Sequence, residues 1–257
     1  MARRFATVAF VASPSLEAEM AEAALKAQYP HVEPEHADVV VALGGDGLML
    51  RTLHRFMGSG RPIYGMNKGT VGFLMNEFRT EGLIERLEAA QRSVAHPLLM
   101  TVIDTEGAEH TAYAINEVHM LRQSHQTAKL RVEVDGHVRL AELISDGILI
   151  ATPAGSTAYN LSVDGPILPL NAPLLALTPI SAFRPRRWRG ALLPDRALIS
   201  VTVIEAEHRP VSAVADHTEF RDVCRVSASM DHGIDLVMLH DPGHSLDERI
   251  LREQFGY

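Results

Sequence analysis

A single cysteine, Cys224, is all the chain carries, so no disulfide can close within it and the small disulfide-stapled scaffolds of secreted proteins are excluded. Long hydrophobic runs are missing too. The apolar stretches, such as Val39 to Leu43 and Ile148 to Ala151, fall far short of the roughly 20 residues that cross a bilayer, so no membrane span is expected. The opening residues Met1-Ala2-Arg3-Arg4-Phe5 lead into a strand-like run without a small-residue cleavage pattern. No secretory leader is expected, and the cytoplasm is the expected compartment. Excess positive charge is also lacking, the formal net charge being −8 at pH 7. Neutralised phosphates supply most of the affinity of a nucleic-acid coat, so that class is excluded. A small anionic ligand stays open, held by backbone N–H groups and a few arginines. Two glycine signatures are absent as well. Without G-x-x-x-x-G-K-S/T there is no Walker-type loop, and without G-x-G-x-x-G after a strand the dehydrogenase fingerprint is missing.

What is present is the balance of a packed protein, 46% hydrophobic and 22% charged over 257 residues. A length near the limit of one core predicts two parts. The first ninety-odd residues alternate between strand and helix patterns: Phe5 to Val11, then an Ala/Glu/Leu-rich helix from Ser15 to Gln28 capped by Ser15, then Asp38 to Leu43. Leu48 to Met57 is helical in pattern, Pro62 to Met66 is a third strand, and Glu81 to Gln91 is another amphipathic helix. Such alternation implies a parallel sheet with helices on its faces. From His96 the pattern is strands between turns: Leu98 to Asp104, His110 to Asn116, Lys129 to Val134, His137 to Glu142, Gly147 to Thr152, Ala197 to Ile204, Val211 to Ala215 and Val223 to Ser229. The expected architecture is α/β plus β. A Rossmann-like α/β domain spans 1–95, a β-sandwich domain spans 96–235, and a tail over 236–257, helical from Ser245 to Phe255, returns to the first domain.

Chemistry concentrates where apolar strands end. Gly44-Gly45-Asp46-Gly47 stands at the carboxyl edge of a strand that hands over to a helix, where ligands bind in open α/β sheets. Glycines there admit a phosphate close to the backbone, and a helix N-terminus favours negative charge. A carboxylate in that setting suits a general base for a hydroxyl or a Mg²⁺ contact beside phosphates; the bland alternative is an Asp N-cap in a tight turn. Thr152-Pro153-Ala154-Gly155-Ser156-Thr157-Ala158-Tyr159-Asn160 offers small residues, hydroxyls and an aromatic that fit a flat base and its ribose, or else a polar strand-to-helix connection. Asn116-Glu117 closes a strand and would put an amide and a carboxylate at the same edge.

These segments together with Gly65-Met66-Asn67-Lys68-Gly69-Thr70-Val71-Gly72-Phe73-Leu74 and Asp146-Gly147, in this order and spacing, resemble the NAD kinase family over most of the chain. The resemblance implies an ATP-dependent kinase that phosphorylates the 2′-hydroxyl of the adenosine ribose of NAD, giving NADP and ADP. It implies Asp46 as proton acceptor and Gly44, Gly45 and Gly47 along the ATP phosphates. Phe73 would pack near the adenine, Asn116 and Glu117 would hold base or ribose, and Asp146 would bond ribose hydroxyls. Asn67, Ala154, Thr157, Ala158, Tyr159, Asn160 and Ser162 would complete the dinucleotide pocket. It also implies an active site between an α/β domain and a β-sandwich, Mg²⁺ arriving with ATP, and a homodimer or homotetramer. Lipid kinases of the diacylglycerol or sphingosine type resemble the chain at the same glycine motif, and a non-catalytic NAD(P)-sensing module would keep the pocket without turnover.

Three places depart from the family pattern. Leu48 replaces a common Thr, Ile144 stands where some relatives have a basic residue, and Ser181 to Arg189 lacks a Pro-His stretch. The last segment holds four arginines and the only tryptophan, open to a phosphate clamp, a subunit contact or a solvated loop. No protein-held metal site is expected. His240 and His244 are separated by a helix-breaking Pro242-Gly243, and His217 with Glu219 lacks a third ligand.

Overall fold

The computed structural model describes residues 5–68 and 73–255, so Gly69 to Gly72 of the second glycine motif lie outside the described residues. Along the chain come β1 (Val8–Ala12), α1 (Leu16–Gln28), β2 (Val39–Gly44), α2 (Asp46–Arg55), β3 (Ile63–Asn67), α3 (Leu83–Ala89) and β4 (Gln91–Ala95). Next are β5 (Leu98–Asp104), β6 (Glu109–Ala114), β7 (Glu117–Arg122), β8 (Ala128–Val134), β9 (His137–Ser145) and β10 (Gly147–Ala151). Then follow α4 (Tyr159–Ser162), β11 (Leu174–Ile180), β12 (Ala191–Pro194), β13 (Ile199–Val203), β14 (Val211–Ala215), β15 (Thr218–Phe220) and β16 (Val223–Met230). The chain closes with β17 (Leu236–His240) and α5 (Leu246–Gln254). These elements form two compact units, one of the residues up to Ala95 with those from Ile234 onward, the other His96–Gly233. Among the described residues no helix is long and apolar enough to cross a membrane.

The first unit is a five-stranded sheet in the order β1-β2-β3-β17-β4, parallel except for β4. β2 is buried at every position, as a central strand with helices on both faces must be. Ser15 caps α1 by accepting from the Ala18 N–H at 3.3 Å, and the helix buries Ala18, Ala21 and Leu25. β17 meets β3 only at Met238 and Ile63, because Asn76 fills the gap beyond. Its buried amide donates to the carbonyls of Gly65 and Leu239, both at 3.0 Å, and accepts the Asp241 N–H at 2.9 Å.

Two expectations change here. Gln91 belongs to a strand rather than to the helix before it, since α3 runs only from Leu83 to Ala89 behind Gly82 at φ 68°. The tail supplies a sheet strand as well as a helix; Leu236 to His240 is a continuous buried run, the mark of a central parallel strand.

The second unit is a sandwich of two six-stranded sheets, β12-β11-β10-β7-β14-β15 and β6-β5-β16-β13-β8-β9. One core joins them, with Val118, Met120, Ile148 and Ile150 from the first sheet against Leu98, Met100, Leu130 and Val201 from the second. The strand at Glu117–Arg122 corrects another reading: Glu117 opens a strand, and Asn116 lies in the bend before it.

Candidate active site

In the first unit β2 runs out at Gly44 and α2 begins at Asp46, with Gly45 in the capping position at φ −111°, ψ −173°. A β-carbon on Gly44 would press on the Leu48 side chain at 2.9 Å, whereas one on Gly45 would meet nothing within 4 Å among the described residues. Open backbone at Gly45 beside the N–H groups of a helix's first turn is a place for an anion. Leu48 is buried against Gly44, so the residue that departs from the family pattern is part of the packing here.

Asp46 does not cap its own helix, since α2 has no side-chain cap. Its carboxylate crosses to the segment after β3, where Oδ2 accepts the Phe73 N–H at 2.6 Å and Oδ1 accepts the Leu74 N–H at 2.8 Å. Two amides thus fix the orientation of the carboxylate and leave each oxygen a further lone pair. The described residues flanking that segment are themselves tied down. The Lys68 N–H donates to the Gly44 carbonyl at 2.8 Å, and the Asn67 N–H donates to the Asn76 carbonyl at 2.8 Å.

In the second unit the organiser is Asp216, a residue the sequence reading passed over. It sits at φ 50° in the turn between β14 and β15, and its carboxylate accepts the N–H groups of Ile115 at 2.6 Å, Asn116 at 2.9 Å and Glu117 at 3.3 Å. Thr152 holds the same bend from the other side. Its hydroxyl donates to the Ile115 carbonyl at 2.7 Å and accepts the Gly155 N–H at 3.0 Å, while its own N–H donates to the Asn116 carbonyl at 2.9 Å. A β-carbon at Gly155 would collide with that carbonyl, which is why glycine stands there.

The Thr152 to Ser162 stretch divides into scaffold and surface. Asn160 is fully buried, donates to the carbonyls of Ser156 and Pro166, and accepts the Thr178 hydroxyl at 2.7 Å. Its amide is engaged inside the fold, where it ties this stretch to Pro166 and β11. Ala154 is likewise buried, whereas Thr157, Ala158 and Tyr159 are half-buried and Ser162 is exposed. The Tyr159 ring meets His119 edge-on at 5.1 Å. Asp146 is half-buried and takes the Arg122 Nε at 2.6 Å, a partner not foreseen from the sequence. In the Arg184 to Arg189 segment the arginines are exposed, while Trp188 packs on the sandwich core.

Glu117 is the unusual charge of this cluster. It is buried, its Oε2 has no hydrogen-bond partner among the described residues, and desolvation, with the Asp216 charge adding to it, pushes its carboxyl up to about 8. Near neutrality it is therefore a protonated acid that can both donate and accept. A carboxyl with a folded pKa above its unfolded one binds more protons folded, so its contribution to stability falls as pH rises from 4.5 towards about 8. Glu117→Gln should melt near the wild type at pH 5 and roughly 5 °C or more above it at pH 9. Paired thermal melts across that range check this; a difference that does not grow with pH would contradict it.

Residues 8–93 match the family model described as the ATP-NAD kinase N-terminal domain, and residues 115–232 match the ATP-NAD kinase C-terminal domain. The chain is 59% identical to an NAD kinase of Caulobacter vibrioides over 249 residues, 97% of this chain and 96% of that one. It is 56% identical to an NAD kinase of Rhizobium meliloti over 256 residues, all of both chains. Among solved structures, yeast NADH kinase complexed with NADH superposes with a TM-score of 0.85 at 20% identity, covering 98% of this chain and 87% of that one. An NAD kinase from Archaeoglobus fulgidus in complex with ATP superposes with a TM-score of 0.77 at 23% identity, covering 97% of each. At such identities the structural likeness speaks for the fold.

Proposed function

The chain belongs to the ATP-NAD kinase family, and from that premise we propose that Asp46 is the base that receives the 2′-hydroxyl proton of the NAD adenosine ribose. The activity, conversion of NAD and ATP to NADP and ADP, is that of its full-length relatives. In the transfer the ribose 2′-oxygen loses its proton to Asp46 and bonds to the γ-phosphorus, while the bond from that phosphorus to the ADP oxygen breaks. The carrying observation is the carboxylate itself, aimed by two amide donors at the carboxyl edge of a parallel sheet and serving no helix cap.

The remaining roles divide by chemistry. Gly44, Gly45 and Gly47 line the ATP phosphates, with the open face of Gly45 as the point of close approach. Asn67 and Phe73 belong to the second glycine motif, and Phe73 donates its N–H to Asp46. Asn116, neutral Glu117, Asp146, Thr157, Ala158 and Tyr159 hold base and ribose; a protonated Glu117 adds no repulsion to an anionic ligand. Ser162 supplies an exposed hydroxyl at the end of α4, and Ala154 and Asn160 support the pocket wall.

Among the described residues no three His, Cys, Asp or Glu side chains gather into a metal site. A single carboxylate at the phosphate loop fits Mg²⁺ that arrives with ATP, since such ions take one or two carboxylates and otherwise substrate phosphates and water. When bound, Mg²⁺ would neutralise charge on the transferring phosphates. The proposed compartment is the cytoplasm and the proposed assembly a homodimer or homotetramer, which light scattering of the pure protein reads directly.

Incubating the protein with Mg-ATP and NAD, and separately with Mg-ATP and diacylglycerol, tests the substrate class. NADP forms and the lipid stays unphosphorylated; a phospholipid product without NADP would reverse the reading.

A further inference from the structure

We propose that Arg249 of the C-terminal helix is a positioning residue for Asp46, holding the peptide plane that orients the carboxylate. The inference rests on the reading of Asp46 as the base and deepens it.

The argument begins with how α5 is placed. Ser245 caps it by accepting the Glu248 N–H at 3.3 Å, and Leu246 and Ile250, four apart, are its buried residues. Arg249 lies three residues after Leu246 and one before Ile250, so it shares the docked side of the helix. Among the described residues its half-buried side chain is held at two points. Nε donates to the His244 carbonyl at 3.0 Å, and Nη1 donates to the Phe73 carbonyl at 2.8 Å.

The Phe73 carbonyl and the Leu74 N–H are the two ends of one peptide bond. Arg249 grips the oxygen end while Asp46 accepts from the nitrogen end at 2.8 Å. A peptide unit is planar and rigid, so its carbonyl cannot turn without swinging its N–H. The Phe73 N–H, one unit earlier, holds the other carboxylate oxygen at 2.6 Å. A cationic donor on the carbonyl also polarises the peptide and strengthens its N–H as a donor.

Further along, the same segment is locked by the buried Asn76 between β3 and β17. Phe73-Leu74 is thereby held by Asn76 on its C-terminal side and by Arg249 at the carbonyl. Asp46 is close enough that its charge offsets part of the burial cost of the Arg249 guanidinium. The tail thus reaches the base through one peptide bond.

A double-mutant cycle on the full-length enzyme decides the matter. Arg249→Gln should lower kcat by about 10–100-fold, the scale of a misaligned reacting group, and leave the KM for NAD and for ATP within about twofold. In an Asp46→Asn background the same change should cost less than about threefold, because nothing remains to be positioned. Arg249→Lys keeps the charge but not the two-point grip and should recover only part of kcat; it is carried through the same cycle, so a poorly folding glutamine variant still leaves a reading.

Additive losses would overturn the proposal, because Arg249 would then act independently of Asp46, and so would an equal rise in the KM for ATP in both backgrounds, the mark of a direct phosphate contact. Near-wild-type turnover by Asp46→Asn alone would instead overturn the base assignment. The two failures are therefore distinct.

Discussion

Gly155→Ala is expected to destabilise the protein by about 3 kcal/mol, lower its Tm by roughly 6–12 °C and weaken NAD binding with it. The methyl group has nowhere to go. It would enter the carbonyl of Asn116, which is rigid backbone and is already accepting the Thr152 N–H at 2.9 Å. Relief requires moving the bend that carries Asn116 and Glu117, and that bend is held by three N–H donations to Asp216 and by the Thr152 hydroxyl. The strain thus spreads through the residues proposed to hold base and ribose, and affinity should fall together with stability. Gly45→Ala is the contrasting case, since a β-carbon there meets nothing among the described residues and its backbone is ordinary extended chain. Thermal melts and NAD calorimetry on the two variants check the difference. A Gly155→Ala protein with the wild-type Tm would mean that the bend yields at little cost.

Much of this was legible in the chain because it is local. The handover from Val39–Leu43 to the glycine motif reads as a strand meeting a helix from composition alone, and the cap at Ser15 is where its sequence places it. The change to strands and turns at His96 is equally plain, since the sandwich strands alternate inward and outward residues, as in the buried-and-half-buried rhythm of Leu98–Asp104.

What escaped depends on residues far apart. Asp216 organises Asn116 from 100 positions away, Asp46 is held by amides 27 and 28 positions on, and Arg249 reaches back to Phe73 across 176. Hydrogen bonds of that span leave no local periodicity. One weak signal existed for Asp216, an acidic residue ending an apolar strand where a left-handed turn is needed. Asn160 shows a related effect. A polar residue beside a binding motif reads as a ligand contact, and its internal bonds to Thr178, Ser156 and Pro166 are visible only in the fold. The run Leu236 to His240 reads as a tail because nothing nearby in sequence reveals that this strand completes a sheet with β1, β2 and β3.

The larger effect is expected at Asp46. Asn keeps the size of the side chain and one carbonyl oxygen to accept an amide, but it cannot take a proton. With one acceptor replaced by an NH₂ group, one of the two clamping N–H donations is lost as well. Turnover should therefore drop by about 10²–10⁴-fold, the usual worth of a positioned base. NAD binding should survive within a few-fold, because base and ribose are assigned to Asn116, Glu117, Asp146 and Thr157. A helix cap would behave otherwise, as Asn caps about as well as Asp. The direct measurement is kcat for NADP formation by Asp46→Asn beside its NAD affinity by calorimetry. The proposed role predicts a loss of turnover of at least about a hundredfold with affinity retained, and turnover within a few-fold of the wild type would contradict it.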